Sequence, residues 1–120
     1  MQNINELIGE IRQWGEAKGI TGTNGKGTLL GQLSKTQEEL TETRDAAVKA
    51  QIANNERTWD TKLWNESQDE IKDGIGDTAV TLILAAEMAG LTFEDCLQAA
   101  YDEIKSRTGT MVGGVFVKDK

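Results

Sequence analysis

The chain has 120 residues, enough for one ordinary domain, and carries 13 basic and 20 acidic side chains for a net charge of −7. It contains no histidine, no proline and one cysteine. That excludes Ser–His and Cys–His nucleophile pairs, an imidazole base, a structural zinc site and an intrachain disulfide. The acidic balance argues against a nucleic-acid groove, which needs clustered Lys and Arg.

Taken in chain order, apolar residues at Ile4, Leu7, Ile8, Ile11 and Trp14 predict a helix from Ile4 to Lys18, stopped by Gly19. Ile20 to Gly27, ITGTNGKG, reads as a glycine-rich loop. A second helix is predicted from about Leu29 into the fifties, with Leu29, Leu33, Leu40 and Ala47 on one stripe. Asn54-Asn55 suggests fraying or a turn, and the stretch to Trp64 has no clear pattern. A third helix is predicted from about Asn65 to Ala89, ended by Gly90. Its internal Gly74 and Gly76 each cost ~1 kcal/mol relative to Ala, so the helix bends there or something packs very close. From Val80 to Ala86 it is apolar nearly all round, which predicts enclosure by neighbours. Thr92-Phe-Glu-Asp95 is a capping-box start for a fourth helix with Leu97, Ala100, Tyr101 and Ile104 on its apolar face. After Arg107, TMVGGVFVK reads as a small hairpin or an extended tail. The expected fold is therefore all-α, a four-helix bundle of up-and-down type with a short non-helical C-terminal end, forming a single domain over residues 1–120. The longest apolar stretch, Ala79 to Ala86, is far short of the ~20 residues that cross a bilayer, and MQNINELIGEIRQW has no signal-peptide pattern. A cytoplasmic setting is expected, and the lone Cys96 fits it.

Two stretches are candidates for chemistry. Gly22-Thr-Asn-Gly-Lys-Gly-Thr28 resembles the TGTNGKG phosphate loop of folylpolyglutamate synthases and related ligases. Such a loop needs a buried parallel strand to feed it, and here an amphipathic helix precedes it, so a plain connection between helices is the favoured reading. The second stretch is acidic. Gln37-Glu-Glu-Leu-Thr-Glu42 is an EExxE pattern, with Glu38, Glu39 and Glu42. On the third helix Glu70, Asp73 and Asp77, spaced three and four apart, share one narrow face that continues into Leu84 and Met88. Carboxylates from two helices converging near a dry interior repel one another and are poorly solvated, and a hard divalent cation relieves both costs. The competing reading is two solvated acidic faces.

EExxE on one helix, then an acidic cluster ending in Gly-Asp before a long apolar helix, resembles the MazG-like family of all-α nucleoside triphosphate pyrophosphohydrolases. The resemblance runs through Ile11-Arg-Gln-Trp14 with Gly19-Ile20, through Gln32, Lys35 and EELTE, through GDTAVTLILAAEMAGL, and into AYDEIKSRTGTMVGGVFVK. That last run is similar to the ending of short single-domain members found in bacteriophages, which implies a host-cytoplasmic setting. The resemblance implies hydrolysis of a nucleoside triphosphate between the α and β phosphates, with magnesium (or manganese) as cofactor and a homodimer or homotetramer as the assembly. It implies Glu39 and Glu42 as metal ligands with Glu38 beside them, and Asp77 from the second motif. The residue three before Asp77 is Gly74 where the motif has Glu, so the third-helix ligands are open between Glu70 with Asp73 and Asp73 with Asp77.

Further roles stay open in pairs. Glu38 is a candidate for orienting or deprotonating the attacking water. Lys35, Lys105 and Arg107 are phosphate candidates. Their competing reading is surface charge, Lys35 as an i,i+4 partner of Glu39 and the other two as favourable charges at a helix C-terminus. Trp59 and Trp64 are candidates to line a base pocket, whereas Trp14 sits on an apolar stripe and reads as core. A catalytically silent helical module that binds a nucleotide or a protein is the alternative to the enzyme, motivated by Gly74.

Overall fold

Each helix begins where a short polar side chain caps it. In this computed structural model, which describes residues 1–55 and 59–120, α1 spans Ile4–Ala17 behind Asn3, α2 Leu29–Ala53 behind Thr28, α3 Thr61–Met88 behind Asp60, and α4 Phe93–Ile104 behind Thr92. The caps accept from the backbone N–H two or three residues on, at 2.8 Å for Asn3, 3.0 Å for Thr28, 2.9 Å for Asp60 and 3.1 Å for Thr92. Gly19 and Gly90 follow the ends of α1 and α3, as the sequence predicts. The chain is thus mostly helical, with four helices and a small two-stranded sheet. Among the described residues no helix is long and apolar enough to cross a membrane.

The tail resolves as a hairpin. β1 (Gly109–Val112) pairs antiparallel with β2 (Val115–Lys118), placing Thr110 opposite Val117, Met111 opposite Phe116 and Val112 opposite Val115. Gly113 and Gly114 turn the chain with φ of +58° and +81°, the left-handed pair that a two-residue hairpin loop requires.

Packing is built on α2 and α3, which lie along each other over most of their length; α1 and α4 each rest on α3. The seam between α2 and α3 is made of small side chains. Ala46, Ala50 and Ala53 are buried on α2, and Ser67, Gly74 and Thr81 on α3. Gly74 explains itself here: a Cβ at that position would run into the hydroxyl and methyl of Thr43. The helix keeps going through both glycines, and Gly76 has open space where its side chain would be.

Two expectations are corrected. The predicted stripe of Leu29, Leu33, Leu40 and Ala47 is not the buried face of α2; all four are exposed. They sit on the face next to the alanine seam, because the close approach at Gly74 leaves room only for small residues between the helices. The enclosure predicted for Val80 to Ala86 of α3 holds except at Leu82: Thr81, Ile83, Leu84, Ala85 and Ala86 are buried, whereas Leu82 is exposed and lines an apolar hollow with Ile75, Leu40 and Phe93.

The apolar face of α4 also stays open, with Leu97, Tyr101 and Ile104 exposed. The accessible surface is 9151 Å², against about 6,400 Å² for a typical monomer of this mass. The radius of gyration is 17.6 Å, against about 14 Å for a compact chain of this length.

One ion pair ties the first helix to the last. Arg12 donates to both carboxylate oxygens of Glu94 at 2.7 Å each, a bidentate arrangement spanning 82 residues of sequence. The Arg12 guanidinium, helped by Glu94's own backbone N–H, holds the Glu94 carboxyl down at about 2. A carboxylate with a depressed folded pKa stabilises the fold above its unfolded pKa, and the contribution disappears as pH falls through the folded value. Wild type is therefore expected to lose stability relative to Glu94→Gln as pH drops from the ordinary carboxylate range toward 2, read from melting temperatures across that range.

The two α3 glycines give a second expectation. Gly74→Ala is expected to cost about 1–3 kcal/mol through overpacking against Thr43. Gly76→Ala, facing open space, is expected to gain about 0.5–1 kcal/mol. Thermal unfolding of the two single variants checks the opposite signs.

Candidate metal centre

The close seam carries the acidic stripes with it. Because α2 and α3 approach at Thr43 and Gly74, the carboxylates one turn to either side are brought across from one another. They line a cavity of about 400 Å³, formed by Glu39, Glu42, Thr43, Asp45 and Lys49 from α2 with Glu70, Asp73, Gly74 and Asp77 from α3. All five residues that the sequence proposed as metal ligands, Glu39, Glu42, Glu70, Asp73 and Asp77, line this one space, but Glu42, Glu70, Asp73 and Asp77 are exposed, so the acidic face meets water and not the dry interior that the sequence suggested. Both third-helix registers open onto it. Among the described residues no three of His, Cys, Asp and Glu are drawn together closely enough to hold an ion as they stand. The donor set itself is all carboxylate oxygen, the chemistry of a site for magnesium, calcium or manganese.

Lysines stand at both ends of this acidic surface. Lys49 Nζ donates to Glu70 Oε1 and Oε2 at 3.2 and 3.0 Å. Lys35 lies 3.4 Å from both Glu38 and Glu39, and that pairing, Glu38 first, holds its ammonium above the ordinary lysine range. The side chain of Glu39 is only 13% exposed, whereas that of Glu38 is 58% exposed and does not line the cavity. Above the cavity the Thr36 and Thr81 hydroxyls meet at 2.8 Å and pin the two helices.

The remaining sequence candidates lie elsewhere. Trp59 and Trp64 pack against each other with ring centroids 5.6 Å apart, and Trp59 Nε1 donates to Thr61 Oγ1 at 2.8 Å. Neither lines the acidic cavity. Lys105 and Arg107 sit past the end of α4, 3.5 Å from Asp102 and 3.3 Å from Glu103. Trp14, read as core from its stripe, is exposed. Sequence reasoning passed over Thr43, Asp45 and Lys49. Asp45 and Lys49 follow Glu42 at i+3 and i+7, so helical spacing alone places them on its face.

The glycine-rich loop is closed by main-chain hydrogen bonds from Lys26 to Gly19 and from Gly27 to Ile20, both 2.9 Å. It lines a separate cavity with Glu16, Glu87 and Met88. Two carboxylates at that wall repel phosphate, and α1 rather than a strand feeds the loop. Lys26→Ala is accordingly expected to leave nucleotide affinity within about twofold of wild type, checked by titration calorimetry.

No family model, curated protein or solved structure matches the chain.

Proposed function

We propose that the chain is a magnesium-dependent nucleoside triphosphate pyrophosphohydrolase of the MazG-like kind, cutting between the α and β phosphates. The observation that carries this reading is the common cavity of Glu39, Glu42, Glu70, Asp73 and Asp77. A triphosphate is strongly anionic, and an acidic chain has no charge of its own with which to hold it. Magnesium, or manganese in its place, supplies the neutralising charge at the phosphate oxygens and on the departing pyrophosphate.

The protein's residues do the rest. Glu39, Glu42, Asp73 and Asp77 are the candidates to hold the ion, with Glu70 joining once it parts from Lys49. Lys49, so released, stands at the cavity wall as a phosphate contact. Lys35, outside the cavity and paired with Glu38 and Glu39, is a phosphate candidate only beyond its rim. The water is oriented by a cavity carboxylate left out of the ligand set. Glu38 suits this less well, since it turns to Lys35 outside the cavity. The open apolar faces of α2, α3 and α4 support a homodimer or homotetramer in which copies complete a four-helix up-and-down bundle. A cytoplasmic site of action agrees with this substrate class.

A second reading has its own observation. Gly74 stands where the motif has a metal-binding Glu, and Thr43 fills the space that a side chain needs. A helical module that binds a nucleotide or a protein without turning it over keeps the same fold. Product analysis over a panel of triphosphates with magnesium separates the two. The enzyme releases pyrophosphate and not orthophosphate. Glu42→Gln and Asp77→Asn are each expected to lower that release at least about a hundredfold, since loss of even an outer-shell partner costs 10–100-fold. Unchanged turnover in both variants removes the site, and tight nucleotide binding without turnover selects the silent module.

A further inference from the structure

The C-terminal hairpin is apolar on both faces. Met111 and Phe116 lie side by side on one face with Lys118; Val112, Val115 and Val117 occupy the other. Every side chain from Thr110 to Lys118 is exposed. Two four-residue strands alone are marginal in water at best, so this element needs a surface to lie on.

Such a surface exists. Ile8, Ile11, Val80, Ile83, Phe93 and Leu97 line a mostly apolar groove of about 550 Å³ between α1, α3 and α4. Its edge carries Asp73 and Asp77, which it shares with the acidic cavity. The hairpin does not enter the groove of its own chain. It leaves α4 at Ile104, about 10 Å along the axis from Leu97. The connector is also fixed by backbone bonds from Lys105 to Tyr101, Arg107 to Ile104 and Asp119 to Thr108.

We propose that the hairpin docks in the α1–α3–α4 groove of a second copy of this chain, with Met111 and Phe116 seated on the apolar floor and Lys118 reaching the Asp73–Asp77 edge. Three observations select a second copy. The chain exposes roughly 2,700 Å² more than a monomer of its mass, the scale of obligate assemblies and not of passing encounters. The groove and the hairpin are apolar surfaces of one chain that its own connector keeps apart. The charges match: Lys118 shares the face of Met111 and Phe116 and so meets the carboxylate edge, while Asp119 turns back to accept from Thr108 at 2.7 Å. The docking holds whether or not the acidic cavity turns over nucleotides. If it does, the partner's hairpin brings an ammonium to its rim.

The test uses the full chain. Phe116→Asp spoils the hairpin and Leu97→Asp spoils the groove; both residues are exposed, so an isolated chain tolerates the change. Light scattering after size exclusion is expected to show a wild-type dimer and at least tenfold weaker association for each variant, with helix content unchanged by circular dichroism. An equimolar mixture of the two is expected to regain dimer, because one intact hairpin then meets one intact groove. A monomeric wild type, a variant that associates like wild type, or a mixture that regains nothing overturns the proposal. If either variant loses helix content, a Thr110→Cys chain treated with a short bismaleimide decides instead. Covalent dimer beyond the Cys96-only background supports docking between copies, and cross-linking of Cys96 to position 110 within one chain overturns it.

Discussion

The close approach of α2 and α3 is the constraint on which the rest depends. With glycine at 74 and alanines at 46, 50 and 53, the two backbones come near enough for Thr43 to occupy the space beside Gly74. Helices that close bring the residues flanking the seam into one another's reach. That is how acids 25 to 38 residues apart in sequence come to line the same cavity. A large side chain in the seam would push the stripes apart, and a glutamate at 74 would have nowhere to go. The glycine at 74 and the packing of the pair are therefore one fact.

Charge along that cavity is arranged and not merely abundant. Lys35 and Lys49 lie two heptads apart on α2, each paired with an acid at one end of the surface. Between them Glu42, Asp73 and Asp77 make no ion pair among the described residues. All three are exposed, so water screens much of their mutual repulsion. The loop cavity shows the contrary case. Its glycines look suited to phosphate in sequence, but Glu16 and Glu87 set the sign of the charge there.

Much of this was legible in the residues. Caps at Thr28 and Thr92, stops at Gly19 and Gly90, and the Gly-Gly turn each act through neighbours a few positions away, so local sequence carries them. The acidic face of α3 was readable for the same reason, since one helix fixes its own angular spacing. What escaped was contact between elements. Leu29, Leu33 and Leu40 looked like a core stripe because size is the usual guide to burial. The seam instead selected smallness, and the leucines moved to the neighbouring face. The pairing of Lys49 was hidden because its partner, Glu70, lies on another helix. The two tryptophans chose each other, which no single-helix pattern reveals.

The tie between Arg12 and Glu94 has a kinetic meaning. α2 and α3 are adjacent in sequence and close only a short connection, so their pairing is local and inexpensive in chain entropy. α1 and α4 meet through a pair separated by 82 residues, a contact that closes a far longer loop. Amides of the outer helices would exchange with solvent through partial fluctuations, while those of the α2–α3 seam would wait for the whole molecule to come apart.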